Sequence, residues 1–327
     1  FTFVIQPNGQ YTFSLIENLD HIDPTNPNDS ISLNFGVEAE DADGDTNTNP
    51  VYVTINVLDD VPSVASTQRT VDETDLGPIS INGTLSVDFG EDGAATANAV
   101  EASGDFTSSG SRLNNTLTSA GQPVVTTYDP ATGTYTGVAN GQTVFTMTVY
   151  ENGTYNFQLF RPLDHADAND ANDIINLNFG IKVSDADNDS TTTNLTILVR
   201  DDAAKAVNDS YTFTETAMMS GSTMNVLTND VMSQDDATKI ISAVFVTAAG
   251  VELGTAVRVY NGGVYSNLSG TGGKYSISVA ADGLSLKIKA DAPDRGGNDE
   301  TMYVKYTIRD ADGDISTAIA TVKQNDN

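Results

Sequence analysis

One acidic pattern occurs three times and limits what this chain can become. It stands at Asp41-Ala42-Asp43-Gly44-Asp45, at Asp185-Ala186-Asp187-Asn188-Asp189 and at Asp310-Ala311-Asp312-Gly313-Asp314. In each, carboxylates alternate with small residues in a short turn, and a Thr/Val/Ile-rich strand follows. Carboxylates held that close repel one another, and a shared hard cation relieves the repulsion. Calcium suits such a loop because it accepts about six to eight oxygen ligands in flexible geometry. The spacing copies the first half of an EF-hand loop. Position 12, where an EF-hand needs a bidentate Glu, falls on Tyr52, Thr196 or Thr321, so these are not EF-hands. Further ligands must come from elsewhere in the fold. A solvated acidic turn is the plainer alternative for any single loop, and three equivalent occurrences count against it.

The second constraint is an internal repeat, residues 1–60 matching 145–202. Asn8-Gly9-Gln10-Tyr11-Thr12-Phe13 answers Asn152-Gly153-Thr154-Tyr155-Asn156-Phe157, and Leu19-Asp20-His21 answers Leu163-Asp164-His165. Leu33-Asn34-Phe35-Gly36 answers Leu177-Asn178-Phe179-Gly180, and each copy then reaches its acidic loop and closes on Asp-Asp. Residues 61–144 have no counterpart before residue 1. The expected units are therefore 1–60, the C-terminal part of a β-sandwich repeat; 61–202, a complete repeat; and 203–327, a third sandwich. No signal peptide opens the chain, and Phe1-Thr2-Phe3-Val4-Ile5 reads as a strand already under way. The expectation is a piece of something longer, completed by sequence missing here or by a domain interrupted by an insertion.

The expected secondary structure is strand throughout. Val51–Val57 and Leu195–Val199 are β-branched runs bounded by acidic turns, and Tyr11–Leu15 and Tyr155–Leu159 alternate apolar and polar side chains after an Asn-Gly turn. No segment keeps a 3.6-residue apolar period over three turns. Strands at this spacing, separated by Gly, Asn and Asp turns, imply an all-β chain of tandem sandwiches.

Charge and composition narrow the function. Asp and Glu number 45 against 15 Lys and Arg, a net charge of −30. Such a surface repels nucleic acid and anionic membranes, and it destabilises a compact fold unless counter-ions bind. No stretch approaches the roughly 18 apolar residues of a membrane span. The absence of Cys removes disulfides, thiolate metal sites and Cys nucleophiles. The expected partners are neighbouring repeats of the same chain, in a monomer.

The junctions carry further acids. Asp59-Asp60 precedes Val61-Pro62, and Asp201-Asp202 precedes Ala203. Beside an acidic loop these suit a calcium-stiffened linker, the alternative being a charged, flexible one. Additional ligand candidates are Asp72 and Glu73, Asp209 and, more weakly, Asp230, Asp235 and Asp236. His21 and His165 occupy equivalent Leu-Asp-His-x-Asp turns. With one His per unit and no Cys, a zinc site lacks ligands, so a structural hydrogen bond is expected. An enzyme is not expected, because nothing places a carboxylate pair in an aromatic cleft and Trp is absent. Phosphate-loop patterns and the Gly-Gly-x-Gly-x-Asp calcium roll do not occur. Two long loops in the third unit suit a ligand site. One spans 261–273, and the other carries Asp291, Asp294, Arg295, Gly296, Gly297, Asn298, Asp299 and Glu300. A calcium there could coordinate a sugar hydroxyl pair or a peptide carboxylate. A wide hairpin is the alternative.

The run Val71-Asp72-Glu73, Asn82-Gly83-Thr84-Leu85-Ser86-Val87, Phe89-Gly90-Glu91-Asp92-Gly93, Leu163-Asp164-His165, the acidic loop and Asp201-Asp202 resembles one repeat of the giant RTX adhesins. Residues 1–60 resemble the end of another repeat. The last unit is similar to that family's cadherin-like domains through Asn208-Asp209, Asn225-Val226-Leu227-Thr228-Asn229-Asp230 and its acidic loop. The resemblance implies Ig-like or cadherin-like β-sandwiches strung along a calcium-rigidified fibre. It also implies type I secretion by Gram-negative bacteria, a place on the cell surface, attachment and biofilm formation. Some modules of that family bind sugars or peptides, which makes a cell-surface glycan or peptide an implied partner.

Overall fold

The computed structural model describes all residues except 22, 24, 25, 27, 75, 76, 112–115, 168, 169, 171, 235–237, 254–256, 259–265, 268–274, 291–298, 312, 326 and 327. Between residues 61 and 202 two sheets face one another. The five-stranded sheet runs in the order Val125–Asp129, Thr134–Ala139, Gln142–Val149, Thr154–Leu159, Ile79–Thr84. The four-stranded sheet runs Thr67–Asp72, Ser190–Arg200, Ile174–Ser184, Val100–Ser109. All pairings in both are antiparallel except Thr67–Asp72 with Ser190–Arg200, which is parallel. Alternation along the strands explains the layering. In Thr154–Leu159 the residues Tyr155, Phe157 and Leu159 are buried, and in Ile174–Ser184 so are Ile175, Leu177, Phe179, Ile181 and Val183.

The core centres on Phe179. Its ring lies 5.2 Å from Tyr135, 5.3 Å from Phe106, 5.9 Å from Phe145 and 6.1 Å from Phe157, so one side chain joins the two sheets. Gly180 is required beside it. A Cβ there would meet Ser103 Oγ at 2.1 Å, and the Gly180 carbonyl accepts a hydrogen bond from Tyr135 at 3.0 Å.

Residues 1–60 reproduce part of this plan. Thr2–Ile5 pairs with Tyr11–Ser14, and Ser30–Val37 pairs with Val51–Leu58. By the repeat, Phe1, Phe13 and Phe35 correspond to Phe145, Phe157 and Phe179. Phe1 and Phe13 lie 5.9 and 6.1 Å from Phe35, the same separations as in the second copy. Burial differs. Phe179 is fully buried, whereas Phe35 is half-buried, and among the described residues no strands like those of 61–144 pack over it.

The third unit also has two sheets. One runs Asp209–Thr214, Ile315–Asn325, Glu300–Arg309, Lys239–Val246, Val257–Arg258, and the other runs Ser222–Met224, Leu286–Ala290, Tyr275–Val279, Ser266–Asn267. Its separate core includes Met218, Met224, Phe245, Ile277, Ile288, Val304, Ile308 and Val322. The expectation of strand throughout needs two corrections, a 3-10 turn at Val226–Thr228 and a helix before it. Glu215–Ser220 is a short helix, capped where Thr214 Oγ1 accepts from the Ala217 N–H at 3.3 Å and closed by Gly221 at φ 87°. Met218 anchors it in the core. Six residues are too few to display a helical period, so the pattern was silent there. Among the described residues no helix is long and apolar enough to cross a membrane.

The two copies differ in closure, which has a measurable consequence. Phe179→Ala should lower the opening free energy of 174–200 by about 3–5 kcal/mol, and Phe35→Ala should lower that of 30–58 by less than about half as much. Hydrogen–deuterium exchange resolved by peptide reads the two strand pairs separately. Equal losses would contradict this account of the core.

Candidate metal centres at the junctions

The acidic loops share one backbone form. The first Asp N–H donates to the last Asp carbonyl at 3.0 Å in 41–45, 3.1 Å in 185–189 and 3.2 Å in 310–314. The fourth position is left-handed in each, with φ 95° at Gly44, 83° at Asn188 and 121° at Gly313. Gly, or Asn at a modest penalty, is what that conformation takes. Asp312 lies outside the described residues.

Surroundings separate the loops. Asp41, Asp43 and Asp45 are exposed, and Asp41 Oδ1 accepts from the N–H groups of Asp43 and Asp45 at 3.3 and 3.0 Å. The Asp43 side chain and then the Asp45 N–H hold the Asp41 carboxyl below its ordinary range. In the second loop Asp185 and Asp189 are buried and Asp187 is half-buried. Asp185 forms a bridge with Ala94, and the Ala186 N–H donates to the Gly93 carbonyl at 3.0 Å. Asp185 is fully buried and neither of its carboxylate oxygens has a hydrogen-bond partner; Asp189 Oδ2 is likewise buried and unpartnered. Burial pushes Asp185 up to about 7, with Asp187 and Asp189 pushing the same way.

What faces this loop is the end of the preceding unit. Burial, with the charges of Asp187 and Asp189, raises Asp59 to about 6. Asp189 is also raised, by burial and by Asp187. Asp59, Asp60 and Asp92 present carboxylate oxygens within 4.8 Å of one another. The Glu91 N–H donates to Asp60 at 2.5 Å, and the Asn18 amide donates to Asp92, whose carboxyl burial nevertheless raises. One Asp pair, Asp92 and an acidic loop thus converge from 1–60 and 61–202.

The arrangement recurs at the next junction. Asp201, Asp202, Asp310 and Asp314 are all buried. Burial raises Asp314, reinforced by Asp310, Asp173 and Asp170, while Asp201 lowers it. Asp202 is raised by burial although it accepts from Gln234 N–H at 2.8 Å and from the Ser233 hydroxyl at 3.4 Å. Asp310 accepts from Ala204 N–H and Gly313 N–H, both at 3.2 Å.

The remaining candidates are scattered. Asp72 faces Arg200 at 3.3 Å and takes no place in either cluster. Glu73 is buried, accepting from Leu163 N–H at 2.9 Å, with its other oxygen 3.6 Å from His165 Nε2. His165 Nδ1 contacts Asp173 at 2.5 Å and His21 Nδ1 contacts Asp29, so each His makes the expected hydrogen bond, and its partner is a carboxylate. Asp209 and Asp230 come together around the Tyr306 hydroxyl, at 2.9 and 3.1 Å, and its single proton serves one carboxylate at a time. Burial raises both carboxyls, and burial beside Asp209 pushes Tyr211 up to about 12. Glu300 accepts from the buried Tyr275 hydroxyl at 2.5 Å, and Asp299 is exposed. Asp235 and Asp236, most of the 261–273 loop, and Asp291, Asp294, Arg295, Gly296, Gly297 and Asn298 lie outside the described residues. Sequence reasoning passed over Asp92, Asp29 and Asp173. The last two carried a signal, since each follows the His of its copy by the same interval.

Comparison with known proteins adds little beyond this geometry. Residues 68–198 match the family described as "Domain of unknown function (DUF5801)", which covers less than half of the chain. No curated protein matches. Among solved structures, mouse protocadherin PcdhgC3 EC1-3 is similar at 10% identity, covering 93% of this chain and 78% of that one, with a TM-score of 0.27. Mouse Protocadherin-24 EC1-3 is similar at 15% identity, covering 99% and 86%, with a TM-score of 0.27. Mouse Cadherin-23 EC22-24 is similar at 11% identity, covering 94% and 77%, with a TM-score of 0.23.

The raised carboxyls fix the sign of a pH dependence in chelator. A carboxyl whose folded pKa is raised contributes stability that is fully present below its unfolded value, about 4, and lost as pH rises through the folded value. For Asp59 and Asp185 those folded values are about 6 and about 7. The metal-free chain should therefore melt at progressively lower temperature between about pH 4 and pH 7, and Asp185→Asn should flatten the decline. A melting temperature that rises over this range would contradict the assignment.

Proposed function

We propose that this chain is a segment of a calcium-stiffened extracellular adhesin, in which 1–60, 61–202 and 203–327 act as successive β-sandwich modules. The observation that carries the reading is Asp185, a fully buried carboxylate with both oxygens unpartnered, aimed into a junction where Asp59, Asp187 and Asp189 add more negative charge. A buried charge persists only when paired or coordinated. The donor set is all oxygen, which fits a hard cation. Asp185, Asp187 and Asp189 would hold it from one module, and Asp59, Asp60 and Asp92 from the module and loop beside it. Asp201, Asp202, Asp310 and Asp314 would do the same at the second junction. Calcium bound there supplies the positive charge that lets these carboxylates stay together. The chain's own part is to present them on the tips of paired strands, so that closing the site also sets the angle between modules.

The resemblance to RTX adhesin repeats supports placing this device on a bacterial surface, secreted by a type I route and serving attachment and biofilm formation. A second reading has its own observation. A cleft of about 360 Å³ in the third unit is lined by Val246, Leu253, Tyr275, Glu300, Met302 and Tyr303. It would make that module a sugar- or peptide-binding one. Glycan and peptide arrays probed with the whole chain separate the two, because a spacer binds nothing above background.

Calcium in the millimolar range should raise the melting temperature of the whole chain. Saturation to about 100 times the dissociation constant contributes about 2.7 kcal/mol per site, or roughly 5–10 °C. Asp185→Asn should invert with conditions, melting above wild type in chelator and below it in calcium. Curves that ignore calcium, or a variant that ranks the same way in both buffers, would sink the reading.

A further inference from the structure

Behind the second junction lies a cluster that oxygen chemistry does not explain. His165, Glu73 and Asp201 are each no more than 3% exposed, and each offers a ligand atom within 4.8 Å of the other two. The 2.5 Å contact between His165 Nδ1 and Asp173 Oδ1, an acceptor-only carboxylate, puts the ring proton on Nδ1. The Nε2 lone pair then points inward. Nε2 is buried without a hydrogen-bond partner, and the atom in front of it is Glu73 Oε2 at 3.6 Å. That separation is too long for a hydrogen bond, and a lone pair facing a carboxylate oxygen is repulsive.

We propose that His165 Nε2, Glu73 and one carboxylate oxygen of Asp201, whose other oxygen stays with the second junction, form a site for a borderline transition-metal dication of the zinc class, distinct in chemistry from the all-oxygen junction sites. Ligands at about 2.1 Å around a tetrahedral ion stand about 3.4 Å apart. The Nε2–Oε2 distance of 3.6 Å is close to that edge. Charge agrees as well, because Glu73 and the shared Asp201 bring negative charge beside a neutral imidazole, which a buried dication requires. Asp173 on Nδ1 fixes the ring and raises its basicity, the part an outer carboxylate plays for a metal-bound His. Imidazole nitrogen is a good ligand for zinc, copper or nickel and a poor one for calcium. A cleft of about 130 Å³ lined by Glu73, Pro78, Arg161, Pro162 and Gln234 opens to solvent on the Glu73 side of the cluster. The expectation that a zinc site lacks ligands counted one His per unit; Glu73, read from the sequence as a calcium ligand, is delivered beside His165 by a distant strand end.

The test uses the full chain held in saturating calcium and titrated with Zn2+ by calorimetry, and with Co2+ as a visible probe. Wild type should bind one ion with nitrogen ligation, seen as the intense d–d absorption of low-coordinate Co2+. His165→Gln and Glu73→Gln should each weaken binding by about 100-fold or more, since loss of an outer partner alone costs 10–100-fold. His21→Gln should leave that site intact. The chain has only two His, so imidazole nitrogen NMR of the His21→Gln protein reports His165 without altering the site; Zn2+ should shift Nε2 and spare Nδ1. Undiminished Zn2+ binding in His165→Gln, no binding by wild type, or an unmoved Nε2 resonance would overturn the proposal. Loss of the calcium-induced melting shift with the Co2+ spectrum retained would count against the calcium reading alone.

Discussion

Repulsion between carboxylates that the fold does not allow to separate governs this molecule. Two unit charges about 4 Å apart at an effective dielectric of about 20 repel by roughly 4 kcal/mol, comparable to a good part of a small domain's stability. Asp185 meets that repulsion from inside the protein, where it cannot turn toward water. Only a proton or a cation relieves it. Each alternative leaves its own mark, the proton in the raised pKa values and the cation in the oxygen-rich donor set.

Strand length explains why the charges meet between modules instead of within one. Ser190–Arg200 begins at the acidic loop and ends at Asp201-Asp202. Eleven extended residues span about 36 Å, so a loop and the Asp pair that follows it lie at opposite ends of their module and cannot share an ion. A loop can meet only the Asp pair of a neighbour, as 185–189 meets Asp59. The geometry is head-to-tail, with 61–202 presenting its acidic loop to the Asp59-Asp60 side and its Asp201-Asp202 pair to the Asp310–Asp314 side.

The fold was largely legible because its signals are local. Period-2 alternation, Asn-Gly turns and the repeat gave the strands, and the repeat equated Phe35 with Phe179 before any coordinates did. The site was legible in residue type but not in grouping. Nothing local in Asp92 distinguishes it from any other surface acid, and its place beside Asp60 depends on a loop folding back. Asp72 and Glu73 are neighbours in sequence and looked alike. Strand alternation sends Asp72 outward to Arg200 and Glu73 inward to His165. The hydroxyl that Asp209 and Asp230 share, that of Tyr306, donates to them from far along the chain, so their grouping was not readable locally.

The carboxylates at the junctions cannot relax apart because the repeat pins them from behind. Asp59 N–H donates to the Asp29 carbonyl at 3.1 Å, and Asp201 N–H donates to the Asp173 carbonyl at the same distance. The side chains of Asp29 and Asp173 in turn hold the rings of His21 and His165. One residue therefore fixes both the junction backbone and the buried imidazole in each copy, from the same positions of the repeat. A junction pinned in this way holds its carboxylates together whatever counter-charge is present, so their mutual repulsion is stored in the fold instead of being relieved by movement.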